Sequence, residues 1–197
     1  ATDSFRLAYK KVMIDNKEKF SIIPPVKALS LVNKYSEAKQ IKIETNGRLV
    51  KFIVDDVSIM SSLYNGEFPY LSRITPEVTP FILKVDSKEF LSAIGRVTIV
   101  INSEKSSMVR LRCNETQSEL YARSESIGNA TEAIKDAKFN GDNFEIGFNY
   151  TYVTDAIKAL NSNNITLAFA GESRAFLVKN DDPNTVQLIT PIRTSSN

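Results

Sequence analysis

The order in which apolar residues change their spacing after Asn143 constrains the fold of this chain more than any other sequence feature. Three of them alternate with polar or small neighbours, as in a half-buried strand: Phe144, Ile146 and Phe148. Asn149 then suits a helix N-cap, and four apolar residues follow at helical spacing: Val153, Ala156, Ile157 and Leu160. Turn residues separate three further predicted strands, at 165–169, 175–178 and 186–190. The segment therefore predicts a repeat of strand, helix, strand, strand, strand.

Two upstream segments show the same order. The copy that begins at Phe81 has a capping arrangement at Asp86–Glu89 and a predicted buried helix face, formed by Phe90, Ile94, Val97 and Ile101. Its later strands are predicted at 108–113, 119–124 and 130–139. The first copy has a short strand at 20–23, a helix with apolar residues at Ala28, Leu31, Val32 and Tyr35, and a hairpin turn at Asn46-Gly47. We expect an α+β fold in which the helices cover antiparallel sheet.

The repeats predict how the chain divides into domains. The stretch from Tyr64 to Pro80 breaks the periodicity with one glycine and three prolines, as a connector does. We therefore predict one domain at 1–78, which holds a single repeat after a strand through Tyr9, Val12 and Ile14. The second domain, at 79–197, holds two repeats.

Composition restricts the chemistry that the chain can perform. It has no histidine and one cysteine, which removes the common general base and most zinc ligands. We expect Cys113, on a predicted strand, to be a small packed core residue. The net charge is only +2, so contact with nucleic acid would depend on local arrangement. No apolar run is long enough for a membrane span, and we expect a cytoplasmic protein without metal or cofactor.

Four motifs in sequence order resemble the bacterial replicative sliding clamps, the beta subunits of DNA polymerase III. They are Thr2-Asp3-Ser4-Phe5-Arg6-Leu7-Ala8, Gly66-Glu67-Phe68-Pro69, Glu145-Ile146-Gly147-Phe148-Asn149 with Tyr152-Val153, and Pro191-Ile192-Arg193. The similarity covers essentially the whole chain. Two positions depart from the family pattern: Ser4-Phe5 stand where members often carry Gly-His, and Thr190 stands where a larger apolar residue is common.

The resemblance implies a non-enzymatic processivity factor. In that family, three domains per subunit and two head-to-tail subunits form a homodimeric ring around duplex DNA, with helices on the inner face and antiparallel sheets on the outer face. This chain would correspond to the second half of the middle domain, at 1–78, and the complete last domain, at 79–197. The implied partners are double-stranded DNA, the replicative polymerase, the clamp loader and repair proteins. Such a piece is expected to bind partner peptides but not to close a ring.

The resemblance also assigns residues to three surfaces. A groove for short linear peptides would be formed by Arg6, Leu7, Pro69, Arg73, Ile74, Asn149, Tyr152, Leu188, Thr190, Pro191, Ile192 and Arg193. Its arginines would hold polar or acidic peptide ends. The DNA-facing surface would carry Lys27, Lys34, Lys88, Arg96 and Lys158. The subunit interface would use Ile99, Val100 and Ile101.

Other interpretations of the same residues remain open at the level of sequence. Charged helix faces are most often only solvated, and apolar strand or helix ends are ordinary core. A duplicated α+β enzyme or metabolite-binding protein would use the pairs Asp55-Asp56 or Asp181-Asp182, although aspartate is also favoured in turns. A structural adaptor without a nucleic-acid role is a third alternative.

Overall fold

The computed structural model describes residues 1–15, 18–35, 37–102 and 107–193. They belong to two compact units. The larger unit consists of Ala1–Met13 together with Leu71–Asn197, and the smaller unit of Ile14–Tyr70. The division into domains at 1–78 and 79–197 remains a prediction. The first strand, at Arg6–Lys10, belongs to the larger unit because it pairs with the strand at Thr185–Ile189.

The secondary structure follows the predicted repeat. In chain order the strands and α-helices are β1 (Arg6–Lys10), α1 (Val26–Val32), β2 (Lys42–Thr45), β3 (Leu49–Val54), β4 (Val57–Ser62), α2 (Leu71–Ile74), β5 (Phe81–Asp86), α3 (Ser87–Val97), β6 (Met108–Cys113), β7 (Ser118–Ser124), β8 (Gly128–Ala133), β9 (Lys138–Asn140), β10 (Phe144–Asn149), α4 (Tyr150–Leu160), β11 (Asn164–Phe169), β12 (Phe176–Lys179) and β13 (Thr185–Ile189). Short 3-10 helices follow α1 and α3, at Asn33–Tyr35 and Thr98–Ile101.

The larger unit contains two antiparallel sheets that exchange strands between its two repeats. One has six strands in the order β1-β13-β12-β11-β5-β9, and the other has four in the order β10-β6-β7-β8. The first strand of each repeat therefore pairs with the strand that follows the helix of the other repeat: β5 with β11, and β10 with β6. This reciprocal pairing ties the two repeats into one domain.

Both long helices of the larger unit begin and pack as the sequence predicts. The side chain of Asp86 accepts a hydrogen bond from the Glu89 N–H at 2.9 Å, and that of Asn149 accepts one from the Thr151 N–H at 2.9 Å. The predicted apolar faces of α3 and α4 are buried in a single core with the inner faces of both sheets. Cys113 lies in that core, and burial raises the pKa of its thiol to about 11, which confirms the packed role.

The smaller unit holds one repeat. Its three-stranded sheet has the order β2-β3-β4, with the predicted turn at Asn46-Gly47 between β2 and β3. Val50, Phe52 and Val54 of β3 are buried, and α1 buries Ala28. By contrast, Leu31 and Tyr35, which the helical spacing assigned to a buried face, are exposed.

Three predicted strands differ from the structure. The strand predicted at 130–139 is two strands, because Asp136, at φ 53°, turns the chain from the four-stranded to the six-stranded sheet. The segment 20–23 is not a strand, and Phe20 is exposed. The first strand lies at Arg6–Lys10 and ends before Val12 and Ile14, because its antiparallel partner β13 begins at Thr185, opposite Lys10.

Candidate functional surfaces

Strand β1 divides the predicted peptide-binding residues between two faces of the six-stranded sheet. Arg6 pairs with Ile189, and Leu7 pairs with Leu188. Residues that pair across neighbouring strands lie on the same face of a sheet. Since Ile189 belongs to the core beneath the helices, Arg6 lies on the helix side. Leu7 and Leu188 lie on the opposite side, with Ala168 and Leu177 in a second apolar cluster.

On the helix side, the guanidinium of Arg6 already has two carboxylate partners. Its Nε lies 2.9 Å from Asp3 Oδ2, its Nη1 lies 2.7 Å from Asp155 Oδ2, and its Cζ lies 4.5 Å from the Tyr152 ring centre. Burial is the largest single effect and raises the pKa of Asp3, but hydrogen bonds from the Arg6 side chain and from the Phe5 and Arg6 N–H groups together hold that pKa below its ordinary value. We infer that Arg6 positions β1 against α4. The sequence reasoning had instead assigned its guanidinium to acidic peptide ends.

Phe5, which the sequence reasoning did not assign to the groove, lies beside Arg6 and forms an aromatic pair with the predicted groove residue Tyr152. The ring of Phe5 stacks on Tyr152 with a centroid distance of 6.4 Å, and its side chain is 58% exposed. Both the N–H and the hydroxyl of Thr190 donate to the Phe5 carbonyl, at 2.8 and 2.9 Å. The departure from Gly-His at this position was the only sequence signal for Phe5.

The apolar cluster on the opposite face is largely closed. Leu7 and Leu188 are both buried, and Leu71 at the start of α2 packs against the cluster. The next residues of α2 present exposed side chains, Arg73 and Ile74. The side chains of Leu7 and Leu188 are therefore not accessible to a ligand, whereas that of Ile74 is. Pro69 is exposed and belongs to the smaller unit.

The residues after β13 continue along β10. The Ile192 N–H donates to the Gly147 carbonyl at 2.8 Å, which holds Pro191 and Ile192 half-buried. Arg193 is exposed. Asn149, also predicted in the groove, caps α4, so its side-chain carbonyl has a structural role.

All five predicted DNA-facing cations are exposed: Lys27, Lys34, Lys88, Arg96 and Lys158. They differ in their partners. The Nε of Arg96 lies 2.9 Å from Glu132, and its Nη2 lies 3.2 Å from Glu89, so two carboxylates neutralise that guanidinium. Lys34 lies on the 3-10 turn after α1. In the larger unit, Lys88 and Lys158 are consequently the better candidates for phosphate contact.

The three residues predicted at a subunit interface are unequally accessible. Ile99 is 66% exposed, Val100 is half-buried, and Ile101 is 1% exposed within the core. Ile101 is therefore unavailable to another subunit, in keeping with its place on the predicted buried face of α3. The nearby β8 is an edge strand of the four-stranded sheet, and sequence reasoning missed this edge because it predicted one long strand.

The aspartate pairs of the enzyme hypothesis form turns. Asp55, at φ 49°, lies in the turn between β3 and β4. Asp182 accepts hydrogen bonds from the Asn184 N–H at 2.9 Å and the Thr185 hydroxyl at 2.8 Å, and these bonds lower its pKa. Within the described ranges, no three His, Cys, Asp or Glu residues lie close enough to hold a metal ion. Among the described helices, none is long and apolar enough to cross a membrane.

The fold defined by the two strand-exchanging repeats is that of the sliding clamps. The crystal structure of the DNA polymerase sliding clamp from Bacillus subtilis matches with a TM-score of 0.90 and 31% identity, over 99% of this chain and 53% of that chain. A sliding clamp from Bartonella birtlesii, bound to griselimycin, matches with a TM-score of 0.88 and 26% identity, over 98% of this chain and 54% of that chain.

Sequence comparison assigns the family. The family model for the C-terminal domain of the DNA polymerase III beta subunit matches residues 72–193, and that for the central domain matches residues 1–70. The beta sliding clamps of Staphylococcus epidermidis and Staphylococcus aureus are 33% and 32% identical to 98% of this chain. This chain belongs to the DNA polymerase III beta subunit family. It spans about half the length of the curated relatives it matches, 52% in both cases.

Proposed function

We propose that this chain is part of a DNA polymerase processivity factor, a ring-shaped sliding clamp that encircles duplex DNA in the bacterial cytoplasm. The observation that carries the proposal is the match to the central and C-terminal clamp domains, in that order, over residues 1–70 and 72–193. The factor would be non-catalytic. It would hold the replicative polymerase on DNA by encirclement and by binding short peptide segments of its partners.

In the proposed clamp, the helix side of the larger unit faces DNA. Lys88 on α3 and Lys158 on α4 provide exposed positive charge on the two helices that share one core. Contacts between lysines and phosphates do not depend on base sequence, and they weaken as salt rises. Such contacts would hold the duplex loosely enough to permit sliding.

Charge reversal on the helices tests this assignment. We expect the double variant Lys88→Glu, Lys158→Glu to weaken binding to duplex DNA at low salt and to reduce the salt slope by about one for each lysine that no longer meets a phosphate. The matched control is Lys84→Glu, Lys138→Glu, because these paired lysines lie on the opposite sheet face from Leu83. A flat titration of the wild type, or an equal reduction in both doubles, would remove the assignment.

The second proposed activity is binding of linear peptides near α2 and the end of β13. Ile74 offers exposed apolar surface, and the half-buried Pro191 and Ile192 follow β13. The buried Leu7 and Leu188 lie in the cluster that Leu71 of α2 covers, whereas Tyr152 lies with Arg6 on the helix side of the sheet. Apolar pockets with a few polar groups are typical of peptide-recognition sites. A small surface of this kind would bind a peptide with a dissociation constant on the order of 1 μM.

A synthetic peptide from the tail of a bacterial replicative polymerase tests this activity by fluorescence anisotropy. We expect Ile74→Asp to weaken binding about tenfold or more, since a charge replaces an apolar contact. Ile99→Asp is the matched control, because Ile99 is exposed and assigned to a different surface. Absence of binding by the wild type, or equal binding by both variants, would contradict the proposed groove.

We also propose a subunit contact at the edge of the four-stranded sheet. β8 has an open ladder edge in this unit, and the exposed Ile99 follows the helix that packs near it. Edge strands readily pair with strands of another chain. A strand from a neighbouring subunit added to β8 would extend the sheet, with Ile99 as an apolar contact beside it.

A further inference from the structure

Three lysines and a threonine form one row across the six-stranded sheet. Lys84 of β5 pairs with Lys138 of β9 on one side and with Thr166 of β11 on the other, and Thr166 pairs in turn with Lys179 of β12. Directly paired residues project from the same face of a sheet. Because the neighbouring Leu83 is buried in the core beneath the helices, this row lies on the opposite face. We call Lys84, Lys138 and Lys179 the lysine row.

The stability of the fold does not account for the lysine row. Lys84 and Lys138 stand directly opposite each other, and like charges in that position destabilise a sheet. Both side chains are exposed, and Lys179 is half-buried. Among the residues that the structure describes, none of the three forms an ion pair, whereas Lys10 and Lys42 do. Positive charge gathered in this way attracts an anionic ligand.

Acidic residues lie near the row along the chain but do not neutralise it. Asp86, two residues after Lys84, caps α3 by accepting the hydrogen bond from the Glu89 N–H at 2.9 Å. Asp136 lies in the left-handed turn before β9, and Asp181 is exposed in the turn before β13. The lysine row therefore keeps its charge for a group from outside the sheet.

The lysine row lies one register step from the apolar cluster that α2 covers. Leu177 precedes Lys179 by two residues on β12, and Ile82 precedes Lys84 by two residues on β5. Leu177 belongs to the cluster, and Ile82 packs against it, as does Leu71 of α2. Two residues of a strand span about 7 Å. The positive charge is therefore continuous with the surface beside α2 that we assigned to linear peptides.

The side chains between the lysines favour a peptide over a nucleic acid. Single-stranded nucleic acid is bound by cations together with aromatic rings on which its bases stack. Thr166 occupies the position between Lys84 and Lys179, and the exposed ring of Tyr9 lies on β1, two strands beyond β12. Ammonium and hydroxyl groups supply the hydrogen-bond donors that carboxylates accept. The row is thus suited to acidic side chains.

We propose that the lysine row binds acidic residues that flank the apolar segment of a partner peptide. The proposal rests on the proposed peptide-binding activity beside α2 and adds to it a preferred class of partner. Lys138 and Lys179 lie three strands apart, about 14 Å. An extended segment of about four residues spans that distance. The ion pairs form at an exposed surface, so their contribution falls as salt rises.

Fluorescence anisotropy with matched peptides tests the proposal. Each is the polymerase-tail peptide described above, extended at either end by about four glutamates or by as many glutamines. At low salt, we expect the wild type to bind a glutamate-extended peptide about tenfold more tightly than its glutamine counterpart. The triple variant Lys84→Gln, Lys138→Gln, Lys179→Gln should lose that preference and should bind the glutamine peptides like the wild type.

The matched control, Lys27→Gln, Lys88→Gln, Lys158→Gln, removes three exposed lysines of the helices and changes the net charge equally. Loss of the preference in both triple variants would overturn the lysine row. So would a wild type that binds the glutamate and glutamine peptides equally, and the peptide site itself would then stand. A wild type that binds none of the peptides would overturn both proposals. Binding of oligothymidine that only the row variant loses, without a change in peptide preference, would assign the row to single-stranded nucleic acid instead.

Charge reversal at one position separates binding from folding. Lys138→Glu places a carboxylate opposite Lys84, so it should raise the midpoint of urea unfolding while it weakens the preference for glutamates. Lys135→Glu, in the loop before β9, makes the same change of charge outside the ladder and should leave the midpoint unchanged. A midpoint lowered by Lys138→Glu would show that the lysine pair supports the fold, and its assignment to binding would be overturned.

Discussion

The larger and smaller units share one sequence repeat but differ in how completely they bury it. In the larger unit, two repeats exchange strands around a common core that includes Phe90, Leu111 and Leu167. In the smaller unit, Val50, Phe52 and Val54 are buried beneath one short helix, while the edge strand β2 is exposed along its whole length. The comparison shows that the repeat specifies local structure but that only a second repeat completes its core.

The largest expected difference concerns Leu111 and Ile43, which each lie two residues before the equivalent hairpin pairs, Cys113 with Ser118 and Thr45 with Val50. Leu111→Ala removes a fully buried side chain and should lower the free energy of unfolding by about 2–5 kcal/mol. Ile43→Ala should lower it by less than about 1 kcal/mol because the side chain is already partly in water. Urea unfolding of both variants measures the difference, and equal effects would contradict the comparison.

A smaller difference concerns the helix starts. Asp86→Ala removes the side-chain hydrogen bond to the Glu89 N–H and should cost about 1 kcal/mol of stability. Asp86→Asn, which keeps an acceptor, should cost much less. At the start of α1, Pro25 makes no side-chain cap, so this helix has no such bond to remove. Thermal unfolding compares the two variants, and similar effects for Ala and Asn would argue against capping.

The smallest expected effect is a pH dependence at β1. Asp3 has a pKa below its ordinary value, so its ionised form stabilises the folded contact at every pH above that ordinary value. The contribution disappears as pH falls through the lowered pKa. NMR titration of the Asp3 carboxyl carbon should show a midpoint below that of an unstructured aspartate. Arg6→Gln should return the midpoint towards the ordinary value, and an unchanged midpoint would assign the shift to the backbone N–H groups alone.

Local patterns predicted the elements whose partners lie nearby in sequence. The helical spacing at Phe90, Ile94 and Val97 identified α3 and its buried face, and Asn46-Gly47 identified the hairpin of the smaller unit. The strand at 20–23 was predicted wrongly because a short apolar segment does not form a strand without a neighbouring strand to pair with. The break at Asp136 was missed because a left-handed turn there depends on which sheet the chain joins next.

The candidate surfaces were less predictable than the fold. No local pattern indicates that Arg6 is held by Asp155, because the two residues are 149 positions apart. The family resemblance grouped Arg6 and Leu7 in one groove, but as neighbours on β1 they point to opposite faces of the sheet. The accessibility of Ile99 and the burial of Ile101 depend on one turn of 3-10 helix that spacing does not resolve.

The ladder between β1 and β13 joins the two ends of the described chain, since Arg6 faces Ile189. On a ribosome, β1 emerges before β13 and cannot form this ladder until residues 11–184, which separate the two strands, have been made. Closing so long a loop is slow compared with forming the helices and hairpins that it encloses. We expect β1 to join β13 only after the helices and hairpins between the two strands have formed.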